Sequence, residues 1–159
     1  MLHIDIICVG KLKEKYLKDA VDEYSKRLSK YCNLNIIELA DEKLPDTNSE
    51  KLFNEIKQKE CNKIMNSIKP SSYTIALDLK GKQFTSEEFS QKIDNISLIN
   101  SSITIIIGGS LGMTDTFLST VNEKICFSKM TFPHQLIRVF LLEQLFRAFK
   151  ISNNETYHR

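Results

Sequence analysis

Apolar positions along the chain switch between two periods, and the switching predicts the elements. Leu2 to Val9 is an apolar run of strand length, and Leu34 to Leu39, Tyr73 to Leu79, Ile103 to Ile107 and Ile125 to Ser128 read the same way. Between them the spacing lengthens to three and four residues. Leu17, Ala20, Val21, Tyr24, Leu28 and Tyr31 fall on one stripe among charged neighbours, which predicts a helix from about Lys13 to Tyr31. Leu52, Ile56, Ile64 and Ile68 mark a second helix, which ends before Pro70. Lys80-Gly81-Lys82 reads as a turn after the third strand. Thr85-Ser86-Glu87-Glu88 then has capping-box spacing and starts a helix that buries Phe89, Ile93 and Ile96. A short helix is expected near Asp115 to Val121, and a last one from Pro133 to Lys150, with Pro133 in its first turn.

Strands alternating with helices in this order predict an α/β fold with a parallel sheet and helices on both faces. The β-branched run Ile103 to Ile107 predicts a central strand buried on both sides. The last helix is apolar nearly all round, from Leu136 and Ile137 to Phe149, so one face should pack against a second subunit. No repeat, linker or low-complexity tract divides the 159 residues, and residues 1–159 read as one domain.

Composition narrows the picture only a little. With 42% hydrophobic and 26% charged residues the chain has a globular balance. Met1 to Val9 contains His3 and Asp5 and lacks a basic leader, so neither a signal peptide nor a membrane span is expected. Cys8, Cys32, Cys61 and Cys126 are scattered without metal or redox spacing, which suits buried thiols in a reducing cytoplasm; no metal site is expected. Net charge is +2, but Phe127 to Arg159 holds five Lys and Arg against two Glu, so a small basic surface is expected there.

Three segments carry candidate chemistry. Gly108-Gly109-Ser110-Leu111-Gly112 directly follows the fourth strand, where glycines let the backbone approach a ligand; a tight turn that holds nothing is the bland alternative. The first strand runs into Gly10-Lys11-Leu12-Lys13, which excludes a dinucleotide fingerprint and argues against a flavodoxin-like phosphate loop. Phe127 to Gln135 should emerge on the same sheet edge as the glycine loop, so the two could surround one small ligand. Alone, Met130, Phe132 and His134 would more often be packing or satisfied polar residues. The tail Tyr157-His158-Arg159 offers a ring, an imidazole and a guanidinium suited to stacking on a base and contacting phosphate, although chain ends are commonly silent.

Together these residues resemble the RlmH family of ribosomal RNA methyltransferases, of the SPOUT class. The marks are Gly10-Lys11-Leu12-Lys13-Glu14-Lys15-Tyr16, Ile107 to Gly112, Phe127 to Gln135 followed by Arg138, Glu143-Gln144 and Arg147-Ala148, and Tyr157-His158-Arg159. The resemblance spans essentially the whole chain. It implies a trefoil-knotted C-terminal third and S-adenosylmethionine bound by Leu77, Gly108, Phe127, Ser128, Lys129, Met130, Thr131 and Phe132. It implies methylation of a pseudouridine ring nitrogen in large-subunit ribosomal RNA by a homodimer acting on the ribosome. Tyr157, His158 and Arg159 would then bind substrate, and no catalytic base is assigned. A non-catalytic RNA-binding module of the same fold is the alternative.

Overall fold

A computed structural model describes residues 1–157. His158 and Arg159, expected at the substrate, lie outside the described residues. The elements run β1 (His3–Val9), α1 (Lys15–Leu28), β2 (Asn33–Leu39), α2 (Glu50–Ser67), β3 (Tyr73–Lys82), α3 (Ser86–Ser97), β4 (Ser102–Ile107), α4 (Asp115–Leu118), β5 (Glu123–Ile125) and α5 (His134–Ser152). The five strands form one sheet in the order β2-β1-β4-β3-β5, with every pair parallel.

The central position of β4 follows from its sequence: Ile103, Thr104, Ile105, Ile106 and Ile107 are all buried because both faces of the strand are covered. On one face α1, α3 and α5 bury Val21, Leu28, Phe89, Ile93, Leu141 and Leu145 against Ile4, Ile6 and Ile105. On the other, α2 and α4 bury Cys61, Ile64, Phe117 and Leu118 against Ile7, Val9 and Ile106. Thr85 and Glu88 form the expected capping box, each side chain meeting the other's backbone N–H at 3.1 and 2.8 Å. All four cysteines are buried free thiols. Among the described residues no helix is long and apolar enough to cross a membrane.

Four expectations change in detail. Lys80-Gly81-Lys82 belongs to β3, but the strand bulges so that Ile125 faces both Leu77 and Lys82, and the Cys126 N–H donates to the Lys82 carbonyl at 2.9 Å. The segment therefore bends and still pairs. β5 covers Glu123–Ile125 rather than Ile125 to Ser128, because beyond Ile125 the chain leaves the ladder to wall a cavity. α4 stops at Leu118 instead of Val121. Pro133 caps α5 with an extended ψ of 133° rather than lying within its first turn.

The expected basic C-terminal surface is largely spent internally. Arg138 is 1% exposed and pairs with Glu38 at 2.7 Å, Arg147 pairs with Glu143 at 2.8 Å, and Lys150 pairs with Glu155 at 2.6 Å. Positive charge in the sequence is cancelled where the fold brings a carboxylate to it.

Candidate functional site

Adjacent strands β4, β3 and β5 end side by side, and the segments leaving those ends enclose a cavity of about 480 Å³. That volume lies within the range of small-molecule sites. β3 contributes Leu77 and the bulged Asp78, Leu79 and Lys80; β4 leads into the glycine loop; β5 leads into Cys126 to Phe132. Gly108 and Met130, remote in sequence, line this one cavity.

Two glycines are needed for different reasons. At Gly112 φ is +79°, and no atom lies within 4 Å of where a Cβ would sit, so the backbone opens onto free space in the cavity wall. At Gly81 a Cβ would lie 2.6–2.7 Å from the backbone of Lys124 and Ile125, so only glycine lets β5 pass this closely over the β3 bulge.

The glycine loop is held from behind by α2. A Cβ on Gly109 would lie 2.9 Å from Oε1 of buried Glu60, whose Oε2 accepts the Glu42 N–H at 3.0 Å. Burial raises the Glu60 pKa, partly offset by that N–H. Next to it, Cys61 Sγ accepts from the Thr114 N–H at 3.5 Å. One turn of α2 thus packs behind Gly109 and bonds to the backbone at Thr114.

Of the residues expected at the cofactor, Leu77, Gly108, Phe127, Ser128, Met130, Thr131 and Phe132 line the cavity; Lys129 does not, and is exposed beside it. Tyr157 sits elsewhere. Its hydroxyl donates to Glu143 at 3.0–3.1 Å, its ring stands edge-on to Phe146 at 5.0 Å, and the Arg147 guanidinium lies over it at 4.9 Å. Sequence reasoning missed Asp78, Lys80, Lys57, Met113 and Asp115 on the cavity wall. The first two lie on the bulged stretch of β3 beyond its pairing with β4, which local spacing did not mark; Lys57 comes from a helix distant in sequence, which gave no signal either.

His134 closes the wall at the start of α5 and lies beside Gly10, where a Cβ would be 3.5 Å from Nε2. Burial, then the positive charge of Arg138, lowers its pKa against a smaller pull from Asp41, which favours the neutral ring. The chemistry of the wall fits a methyl-donor cofactor. Leu77, Ile107, Leu111, Met113 and Leu118 give an apolar slot wide enough for a flat ring, loop backbone supplies donors and acceptors, and Asp78 and Asp115, the latter 3.9 Å from the Lys80 ammonium, stand with Lys57 and Lys80 as a mixed-charge rim. Among the described residues no group of three or more His, Cys, Asp or Glu could hold a metal.

A second cavity, about 280 Å³, shares Ile125 to Ser128 and Phe132 with the first and adds Phe84, Phe89 and Phe140. Its polar side is Glu143 and Gln144, the latter accepting from Ser86 Oγ at 2.7 Å.

Comparison with known proteins places this geometry. A family model described as "Predicted SPOUT methyltransferase" matches residues 2–158. Proteins named ribosomal RNA large subunit methyltransferase H from Clostridium acetobutylicum and Clostridium botulinum are each 62% identical over 159 residues, covering 99% of this chain and 100% of the relative. The structure of a probable methylase family protein from Haemophilus influenzae Rd KW20 matches with a TM-score of 0.56 at 12% identity, covering 98% of this chain and 70% of that one. A putative methyltransferase from Legionella pneumophila, solved in complex with bound cofactor SAM, matches at 0.51 and 11% identity, covering 93% and 66%. At these identities the two structures speak for a shared fold.

Proposed function

The chain belongs to the SPOUT methyltransferase family, and from that premise we propose that it transfers a methyl group from S-adenosylmethionine to N3 of a pseudouridine in large-subunit ribosomal RNA. It acts as one domain per subunit, as a cytoplasmic homodimer on the assembled ribosome, without metal or membrane. The observation that carries the reading is the single cavity between the glycine loop and Cys126 to Phe132, reached from three strand ends. The C-terminal third is knotted in this reading, and the glycine at 81 serves the close crossing of β5 that such a path requires.

Bound in that cavity, S-adenosylmethionine supplies an electrophilic methyl on a sulfonium. The chain's own residues do the rest. Gly108 and Gly112 let the loop approach the ligand, the apolar wall excludes water, and Asp78 is the carboxylate of the wall that makes no ion pair among the described residues. Held in line with the attacking nitrogen, the methyl would pass to N3 as the thioether leaves and the N3 proton is released to solvent, and orientation alone can supply about 7–11 kcal/mol of that barrier. The half-exposed apolar residues at the start of α5, Leu136, Ile137, Val139 and Phe140, support a second subunit as their cover. Tyr157 is fixed to α5 through Glu143, which also lines the second cavity.

The test is direct. Incubated with labelled methyl donor and ribosomes lacking the modification, the protein should place label on one pseudouridine of the large subunit. Calorimetry should show donor binding to the protein alone. Donor binding without transfer would favour the alternative, an RNA-binding module that has lost turnover.

A further inference from the structure

The cations of α5 are paired, but three of the four near the start of α1 make no ion pair among the described residues. Residues 11–18, Lys-Leu-Lys-Glu-Lys-Tyr-Leu-Lys, carry four lysines against one glutamate. All four lysines are exposed; Lys15 pairs with Asp19 at 2.7 Å, while Lys11, Lys13 and Lys18 have no ion pair among the described residues. Among them stands Tyr16, 68% exposed, an aromatic ring that core packing does not use.

This outward-facing segment is firmly anchored. Arg138 donates from one terminal nitrogen to Glu38 at 2.7 Å and from the other to the Gly10 carbonyl at 3.1 Å. The same Glu38 oxygen accepts the Leu12 N–H at 2.9 Å, and the Lys13 N–H donates to Gln135 at 3.3 Å. Burying a guanidinium is costly, and Arg138 Nε has no partner. What the arrangement secures is the backbone of residues 10–13, whose side chains other than Leu12 pack little. The other end of the clamp is α5, whose first residue, His134, both touches Gly10 and lines the cavity. Lys11 and Lys13 are thereby tied to the segment that lines the cavity, and Tyr16 and Lys18 follow on the first turn of α1.

We infer that residues 11–18 form an RNA-docking lip, with Tyr16 stacking on an unpaired base and Lys11, Lys13 and Lys18 contacting phosphates beside the target nucleotide. The inference rests on the RNA methyltransferase reading above and names how that substrate is gripped. Exposed rings among cations suit single-stranded RNA, since stacking tolerates any base and ammonium groups neutralise the backbone. A two-fold contact between copies through this segment would set lysines against lysines, which disfavours a second copy as its occupant.

The probe is the ribosome lacking the modification, bound by the full-length protein in a co-sedimentation assay and used as substrate in steady-state methyl transfer. Tyr16→Ala should weaken ribosome binding and raise KM by about tenfold. The triple change Lys11→Gln, Lys13→Gln and Lys18→Gln should do likewise and make the dependence of log affinity on log salt shallower by about two. Donor affinity, melting temperature and oligomeric state should stay at wild-type values, because every altered side chain is exposed and away from the cavity wall. Unchanged ribosome affinity and salt slope would overturn the lip, and so would dissociation of the oligomer by Tyr16→Ala, which would assign the segment to a subunit contact. A wild-type protein that binds ribosomes without methylating them would instead sink the catalytic reading while leaving the lip's binding test intact.

Discussion

Gly81→Ala adds one methyl group, and the structure says where it must go. The new Cβ would lie 2.6 Å from the Ile125 carbonyl carbon and 2.7 Å from the Ile125 nitrogen and the Lys124 carbonyl carbon. All three are backbone, so no side chain can rotate away. Restoring an ordinary carbon contact of about 3.5 Å requires β5 and the β3 bulge to separate by close to 1 Å. Overpacking of this kind costs about 1–3 kcal/mol, and the rigid obstacle puts this site at the upper end. For a chain of this size about 3 kcal/mol corresponds to roughly 6–12 °C in Tm. The separation also stretches the 2.9 Å bond from the Cys126 N–H to the Lys82 carbonyl, at the point where the chain turns into the cavity wall. A shift of about 1 Å near a reacting centre can cost 100-fold in rate. Thermal melting, donor calorimetry and methyl transfer on purified Gly81→Ala should therefore all move together. Wild-type melting with wild-type donor affinity would refute the claim that this glycine permits the crossing.

Gly112→Ala separates strain from space: its positive φ costs an alanine about 1–2 kcal/mol, while its Cβ enters the open cavity, so donor affinity should fall more than stability does. Glu38→Ala removes the partner of buried Arg138 and should lower urea-unfolding stability toward the low end of about 3–5 kcal/mol, since Glu38 is partly exposed; Arg138→Met should cost less. Burial pushes the Glu38 carboxyl up, but the Leu12 N–H and Arg138 together hold it below its ordinary value. Its stabilisation is thus present above the ordinary glutamate pKa and lost as pH falls through the lowered folded value, and Glu38→Gln should flatten that acid limb of the stability profile. Deleting Tyr157 to Arg159 should abolish methylation while sparing donor binding; unchanged turnover on ribosomes would remove the tail from the mechanism.

Much of the architecture was written in periodicity. Five strands, five helices and the capping box at Thr85 are consequences of local pattern, and the unbroken β-branched run Ile103 to Ile107 announced the central place of β4 because only a strand covered on both sides tolerates apolar residues on both faces. The site was half legible: a glycine loop and Phe127 to Gln135 each follow a strand, and strand carboxyl ends are where such sheets bind ligands. Strand order, however, depends on contacts between residues far apart in sequence, so no local pattern could say that β5 would lie beside β3, or that Gly81 was a crossing point instead of a plain turn. Charge shows the same division. Composition counted Arg138, Arg147 and Lys150 as surface, and only tertiary contacts with Glu38, Glu143 and Glu155 neutralised them while Lys11, Lys13 and Lys18 stayed exposed, because a charge's effect is decided by what the fold sets within a few ångströms of it.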